Sequence, residues 1–263
     1  MMMNMKPLIA GLLGAVLLSA AAPATSSADA AGNVPVYLKV GQYSILYTQP
    51  APPFADQAHR IQVPLRSIEG LLGGKVNYNP ASKTAEVKWV GHTFQVTVGS
   101  KIAQIDGKTV QMDTTPVLKK QAMFLPIRFF LDATDLKWHW DQKGQQLVLS
   151  DERVIQGAPF KAFTMLDGPI VKDENALVIQ SYSTDGKYLT INAINVSGHV
   201  IPAGKADINP LISHNYGTFS VESYSRPIAP PLKAIPKDGS VKKKITADLK
   251  DMDYMITVGR EIK

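Results

Sequence analysis

The sequence predicts an α+β fold that is mostly β. We expect tandem hairpin–helix–hairpin units, each an antiparallel sheet packed on a short helix, followed by a small β-sandwich-like domain. One motif occurs twice, 62 residues apart. After residue 151, short strand-like runs alternate with turn signals. The 263 residues are 45% hydrophobic and 19% charged, which is the composition of a globular chain of about two domains.

Residues 1–30 have the pattern of a secretory signal peptide. Lys6 precedes an apolar stretch at residues 8–22, and Ala28-Asp29-Ala30 is a candidate cleavage site. The apolar stretch is roughly 15 residues, whereas a membrane-spanning helix needs about 20. We therefore expect a secreted, extracellular protein. An uncleaved membrane anchor is the alternative.

Two successive segments, residues 34–90 and 91–151, carry one pattern. The motif Val-Pro-Leu-Arg that starts at Val63 recurs as Leu-Pro-Ile-Arg starting at Leu125. Apolar residues spaced three and four apart follow, which predicts a short helix with one buried face. Proline suits the first helical position, because its missing N–H is unpaired there anyway. A hairpin is predicted before and after each helix, including a two-residue turn at Asp106-Gly107.

The residues that define the repeat are interpreted as structural: Pro64, Arg66, Tyr78, Asn79, Pro126, Arg128, Trp140 and Asp141. The helix dipole disfavours a cation in the first turn. We therefore expect each motif arginine to be held by backbone carbonyls or by a carboxylate of its own unit, with anion binding as the alternative. Trp138 and Trp140 share one strand face. We expect both to face the helix as core, and an exposed sugar-binding platform is the alternative.

These motifs resemble the copper amine oxidase N-terminal-like domain, or stalk domain, of secreted and surface proteins in Gram-positive, spore-forming bacteria. The resemblance rests on the Pro-x-Arg motifs, the Leu72-Gly73 helix end and the Asp106-Gly107 turn. It covers residues 34–151 as two tandem copies. It implies a non-catalytic antiparallel sheet packed on a helix.

The oxidase reaction itself is not expected. The resemblance implies that copper is bound in a separate large domain, by histidines that include a His-x-His pair. The five histidines of this chain form no such pair, and Asn215-Tyr216 is followed by Gly217 instead of an acid. The sequence contains no cysteine, which excludes disulfides, thiolate metal sites and cysteine nucleophiles. We therefore expect no cofactor and no metal.

Residues 152–263 resemble no family and are predicted to form a β-rich domain. Strand-like runs occur at residues 162–165, 176–182, 188–194, 218–223, 244–249 and 254–258. Asp185-Gly186 is a hairpin signal, and no long helix is predicted. Residues 225–240 are rich in proline, which cannot donate to a β-ladder, so we expect an extended loop or edge segment.

A group of lysines in this region is interpreted as a contact for a polyanion such as an anionic cell-wall polymer: Lys233, Lys237, Lys242, Lys243 and Lys244. A solvated face is the alternative. The net charge of +6 is compatible with either interpretation. Because no nucleic-acid module is found, we expect no nucleic-acid partner.

We therefore expect a secreted, non-catalytic protein of the cell envelope. Its stalk module would present the β-rich domain to cell-wall polymer, a glycan or another surface protein. One alternative is a small secreted hydrolase that uses a carboxylate pair among Asp167, Asp173, Glu174 and Asp185. A second alternative is a regulator or inhibitor of one exported enzyme.

Overall fold

Short β-strands make up most of the chain, which confirms the predicted α+β, mostly β class. The computed structural model describes residues 32–215, 217–221 and 231–263. The predicted signal peptide lies outside these residues. The helices are α1 (Leu65–Gly70), α2 (Ile127–Asp132) and α3 (Ala158–Leu166), with a 3-10 turn at Glu152–Val154. None of the helices in the described ranges is long and apolar enough to cross a membrane.

The strands are short, and neighbours pair antiparallel except β2 and β14, which run parallel. In chain order they are β1 (Val34–Pro35), β2 (Leu38–Val40), β3 (Tyr43–Thr48), β4 (Phe54–Ala55), β5 (Ile61–Pro64), β6 (Lys75–Asn79), β7 (Thr84–Trp89), β8 (His92–Thr97), β9 (Ile102–Ile105), β10 (Lys108–Gln111), β11 (Val117–Lys119), β12 (Ala122–Pro126), β13 (Trp138–Asp141), β14 (Gln146–Leu149), β15 (Val171–Asp173), β16 (Leu177–Thr184), β17 (Tyr188–Asn195), β18 (Ala206–His214), β19 (Phe219–Val221), β20 (Ser240–Thr246) and β21 (Met252–Ile262).

These strands form four sheets. A five-stranded sheet has the order β10–β9–β8–β7–β6, and a four-stranded sheet has the order β11–β12–β5–β4. A second four-stranded sheet is β1–β16–β17–β20. The largest sheet is β13–β14–β2–β3–β21–β18–β19, with β15 beside β21. The hairpins predicted at Asp106-Gly107 and Asp185-Gly186 are confirmed as β9–β10 and β16–β17.

The largest sheet is the middle layer of the fold, because an apolar cluster packs on each of its faces. Leu211 of β18 lies opposite Ile256 of β21, and both belong to the cluster that includes α1, α2 and α3. The next pair, Ile212 and Met255, belongs to the other cluster. The sheet β1–β16–β17–β20 covers that second cluster. These two sheets packed face to face form the sandwich-like part of the fold.

The two predicted copies share one apolar core. Strand β5 of the first copy pairs with β12 of the second, and Val63 lies opposite Leu125. Both residues are fully buried, as are Ile68 on α1 and Leu131 on α2, and all four belong to one cluster. The apolar faces of both helices therefore pack in one core to which both copies contribute.

Each Pro-x-Arg motif marks the change from strand to helix. Pro64 and Pro126 are extended, with ψ of 137° and 100°, and lie in the β5–β12 ladder. The helices therefore begin one residue later than predicted, at Leu65 and Ile127. Proline is tolerated at these positions because Pro64 lies beyond the residues of β5 that pair with β4, and Pro126 lies beyond the residues of β12 that pair with β11.

The strand predicted at residues 162–165 is wrong, because these residues belong to helix α3. Phe160 and Phe163 lie three apart on one helical face and are buried against Tyr43, with ring centroids 4.9 and 5.3 Å away. Pro159 lies in the first turn, where proline favours a helix start. The helical signals thus begin before the apolar run that suggested a strand.

Strand β18 is missing from the sequence prediction, because its polar residues interrupt the apolar pattern. All nine of its residues are buried, including Asp207 and Asn209. It lies between β21 and β19 in the middle layer, where both faces of the sheet are covered. Pro210 is accommodated because it lies just outside residues 211–213, which pair with β19.

The predicted boundary between residues 151 and 152 is crossed by strand pairing. Ile256 of β21 lies opposite Ile45 of β3, and Val34 of β1 lies opposite Tyr182 of β16. The described residues all lie in one compact unit. The division into two domains at residue 151 stays a prediction from sequence, and strand pairing joins residues from both sides of that position.

Candidate functional site

Asn79 and Asp141, which correspond in the two copies, both hold hairpin turns. Asn79 Oδ1 accepts hydrogen bonds from the backbone N–H groups of Ala81 and Ser82, at 3.0 and 3.3 Å. Asp141 Oδ1 accepts one from the backbone N–H of Lys143 at 3.0 Å. Side-chain oxygens that bond to the backbone two residues onward stabilise turns. Both side chains therefore bond to the backbone of their own hairpin turn.

The two motif arginines are exposed and have different neighbours. Arg128 Nε lies 3.4 Å from Asp132 Oδ2, one turn along α2. Arg66 lies near Asp253. Burial raises the pKa of Asp253, and the charge of Arg66 is one of those that oppose this rise. A carboxylate of the same unit is therefore present for Arg128, whereas Arg66 faces a carboxylate outside the repeat.

Trp140 is not buried in the core, so the expectation that both tryptophans are core residues is wrong. Trp140 is 43% exposed, whereas Trp138 packs against the main apolar cluster. Tyr78, which matches Trp140 in the first copy, also packs against that cluster. Strand β13 is the edge strand of the largest sheet, so no further strand shields Trp140.

The two tryptophans line a pocket of about 230 Å³, which we call the aromatic pocket. It lies between β13, helix α2 and the turn before β5. Its lining residues are His59, Arg60, Ile61, Arg128, Trp138, Trp140 and Leu147. Drug-sized ligands occupy pockets of about 300–1,000 Å³. The aromatic pocket therefore fits one ring of a ligand better than a whole large molecule.

Two arginines of the aromatic pocket are held from outside it. Arg60 meets Asp113 through Nε, and Arg128 meets Asp132 through Nε. Neither aspartate lines the pocket. Within the described ranges, the Nη groups of both arginines form no hydrogen bond with protein. These groups are therefore available as donors to a ligand.

The two pocket tryptophans differ from Trp89, the third tryptophan of the chain, in the hydrogen bonding of the indole N–H. The indole N–H of buried Trp89 donates to the carbonyl of Leu72 at 2.8 Å. By contrast, no acceptor among the described residues meets the indole N–H of Trp138 or Trp140. The sequence pattern points to these two tryptophans and to Arg128 but not to Arg60, because only the fold brings Arg60 beside them.

A larger cleft of about 540 Å³, the polar cleft, lies on the face of the largest sheet that carries Lys39. Lys39 Nζ donates to Asn175 Oδ1 at 2.7 Å. Burial lowers the pKa of Lys39 and raises the pKa of Glu174, which also lines the cleft. Both shifts favour the neutral form of the group, as expected for partly desolvated charges.

The four acids of the hydrolase alternative do not form an opposed pair across this cleft. Glu174 lines it, but Asp167 accepts two hydrogen bonds from Arg260, at 2.7 and 2.5 Å. Asp173 accepts a backbone N–H at 2.9 Å. Asp185 accepts two backbone N–H groups in its hairpin turn, at 2.7 and 3.1 Å. Three of the four acids thus have structural partners.

Strand β20 carries its lysines on two faces. Lys242 and Lys244 are exposed and lie on the outer side of the β17–β20 pair. Lys243 lies opposite buried Ile191, on the inner side. Lys233 and Lys237 are exposed in the segment before the strand. The fold therefore separates Lys243 from its two sequence neighbours.

A third lysine lies beside the outer pair. Lys244 Nζ and Lys187 Nζ lie 4.0 and 5.4 Å from the ring centroid of Tyr188, respectively. We call the surface formed by Lys187, Tyr188, Lys242 and Lys244 the basic face. Cations over an aromatic ring are attracted to its π-electrons, so Tyr188 helps to hold two amines on one side of the sheet.

The histidines of residues 152–263 have separate partners. His199 Nε2 lies 2.9 Å from Glu261 Oε2, and Lys172 Nζ donates to the other carboxylate oxygen at 2.7 Å. His214 Nδ1 lies 3.3 Å from the carbonyl oxygen of Lys250. Across residues 32–215, 217–221 and 231–263, no group of three or more His, Asp or Glu side chains is arranged to hold a metal ion.

Comparison with known proteins finds one family model to which part of the chain is similar. Residues 40–149 match the family model described as copper amine oxidase N-terminal domain. This range contains both Pro-x-Arg motifs and helices α1 and α2, and it ends before α3. A search of curated proteins finds no match for the chain.

Proposed function

Because residues 40–149 match the family model of the copper amine oxidase N-terminal domain, we propose that this protein is a secreted, non-catalytic binding protein of the cell envelope. In this proposal the domain acts as a stalk, and the basic face binds an anionic cell-wall polymer. The family match is compatible with a stalk, because this domain is non-catalytic by itself. The observation that carries the proposal is the exposure of Lys242 and Lys244 on one side of β20, beside Lys187.

The spacing of these amines suits a polymer with regularly repeated negative charges. Alternate residues of a strand lie about 7 Å apart on the same face. Lysine is a hydrated point charge on a flexible stem, so each contact is weak and adapts to the position of its partner. Several such contacts attract a polyanion, and salt screens them.

A structural role for the same lysines gives a different expectation. Strand β20 is an edge strand, and lysines on an exposed edge prevent pairing with the sheet of another molecule. That role requires no polymer. Retention on cell walls therefore distinguishes the two roles.

The test compares the protein with the double variant Lys242→Gln/Lys244→Gln on purified Gram-positive cell walls across a salt series. The control is Lys75→Gln/Lys108→Gln, which removes the same charge from exposed positions on the five-stranded sheet. We expect retention at about 0.15 M salt and release by about 1 M, where the Debye length is about 3 Å. The β20 variant should lose retention, while the control keeps it.

Two results would contradict the proposal. No retention of the unaltered protein at any salt would point to a glycan, a surface protein or an exported enzyme as the partner. Equal loss in both double variants would show that net charge alone, rather than the basic face, holds the protein.

Secretion is tested separately by sequencing the amino terminus of protein recovered from culture medium. We expect the mature chain to begin after Ala30, because small residues precede signal-peptidase sites. Recovery only with membranes, with residues 1–30 intact, would instead indicate an uncleaved anchor.

A further inference from the structure

We propose that the aromatic pocket binds a sugar ring that carries a carboxylate, as found in uronic-acid oligosaccharides. The pocket shares no residue with the basic face. This site is therefore independent of the proposed polymer contact.

The two tryptophans supply the surface for the ring. Trp138 and Trp140 lie two apart on β13, so their side chains project from the same side of the strand about 7 Å apart. Trp140 is 43% exposed. One face of a sugar ring presents C–H groups, and burying them against an indole removes apolar surface from water.

Protein contacts leave part of the indole surface of the pocket available to a ligand. The guanidinium carbon of Arg128 lies 5.6 Å from the centroid of Trp138, so this cation covers the inner tryptophan. The indole N–H groups of both residues lack an acceptor in the described part of the chain. A ligand with ring oxygens and hydroxyl groups provides both an apolar face and such acceptors.

The arginines select the charge of the ligand. Arg60 and Arg128 line opposite elements of the pocket, the turn before β5 and helix α2. Each is oriented by an aspartate at Nε, which leaves its Nη groups as donors. The planar guanidinium matches the geometry of a carboxylate. A neutral sugar leaves these donors without a charged partner.

The size of the pocket limits the bound group to about one ring. Its volume is about 230 Å³. Because the pocket lies at the edge of the largest sheet, the adjoining sugars of an oligosaccharide can extend into solvent. We therefore expect recognition of one acidic ring within a chain.

The test is calorimetric titration of the purified protein with trigalacturonate and with its fully methyl-esterified form, which has the same rings without charge. We expect saturable binding of the acid and at least about tenfold weaker binding of the ester. Trp140→Ala should weaken binding of the acid by at least about tenfold. Arg128→Gln should bring the affinities for acid and ester close together.

Two controls define the site. Leu118→Ala shortens another apolar side chain of the same exposure, 43%, outside the pocket. Lys75→Gln/Lys108→Gln removes two charges from exposed positions on the five-stranded sheet, outside the pocket. Both should leave the affinity for trigalacturonate unchanged, and thermal unfolding verifies that each variant is folded.

Three outcomes would overturn the proposal. One is the absence of saturable binding of trigalacturonate. The second is equal affinity for the acid and its ester in the unaltered protein. The third is unchanged affinity of folded Trp140→Ala for trigalacturonate. If Trp140→Ala does not fold, an unchanged preference of Arg128→Gln for the acid over the ester would overturn the proposal in the same way. Loss of trigalacturonate binding in Lys242→Gln/Lys244→Gln, with Trp140→Ala unaffected, would assign the sugar to the basic face instead.

Discussion

Arg260→Met removes a positive charge from the interior of the largest sheet. Arg260 is 1% exposed and donates to Asp207 at 2.8 Å and to Asp167 at 2.7 and 2.5 Å. The side chains of Asp167 and Asp207 are only 14% and 8% exposed. The substitution keeps much of the apolar volume but leaves two carboxylates with little access to water.

Breaking a buried ion pair by removing one partner costs about 3–5 kcal/mol, because the remaining charge is uncompensated. We expect a loss of this size in the free energy of unfolding. For a chain of this length, 1 kcal/mol corresponds to roughly 2–4 °C. The thermal midpoint should therefore fall by about 6–20 °C.

Urea unfolding followed by circular dichroism measures the change. Arg128→Met is the matched control, because its pair with Asp132 is 53% exposed on both sides and exposed pairs contribute about 0–1 kcal/mol. Adding Asp167→Asn and Asp207→Asn to Arg260→Met should restore part of the loss. A loss below about 1 kcal/mol for Arg260→Met, with an unchanged urea slope, would refute the argument.

Three further predictions concern acid stability, close packing and the shared core. Burial opposes ionisation of Glu261, but hydrogen bonds from a lysine and a histidine lower its pKa in the folded protein. The resulting stabilisation is present above pH 4.5, the ordinary pKa of glutamate. It is lost as the pH falls through the lower pKa of the folded state. Glu261→Gln should therefore flatten the pH dependence of unfolding free energy below about pH 5. Gly157→Ala should lower the free energy of unfolding by about 1–3 kcal/mol, because its Cβ would lie 2.7–2.9 Å from backbone atoms near the end of α1. The control Gly168→Ala has open space around it and should be near neutral in thermal unfolding. Leu125→Ala should cost about 2–5 kcal/mol in a single urea transition, because Leu125 belongs to the core shared by both copies, and two separate transitions would contradict that shared core.

The parts of the fold that sequence predicts well are those set by nearby residues. Asp106 and Gly107 have φ of 51° and 80°, a conformation that this pair adopts readily, and the hairpin β9–β10 follows. The Pro-x-Arg motifs locate both short helices to within one residue. In each case the deciding interactions lie within a few residues of the signal.

The candidate sites depend on contacts between distant residues. Trp138, Trp140 and Arg128 belong to adjoining elements, but Arg60 reaches the aromatic pocket only because β5 pairs with β12. Lys242 and Lys244 share a face because they lie two apart on a strand, but only pairing with β17 decides that this face is the outer one. A one-residue change of register would exchange these faces.

Sequence by itself determined the mostly β class, the repeated motif, the principal hairpins and the family resemblance of residues 34–151, because each follows from local conformation or from a short pattern. Only the tertiary structure decided that both copies share a core, that β18 is buried on both faces and that Trp140 is exposed. These properties depend on which strands become neighbours. Strand pairing joins residues far apart in the chain, such as Ile45 and Ile256, and no local pattern specifies that choice.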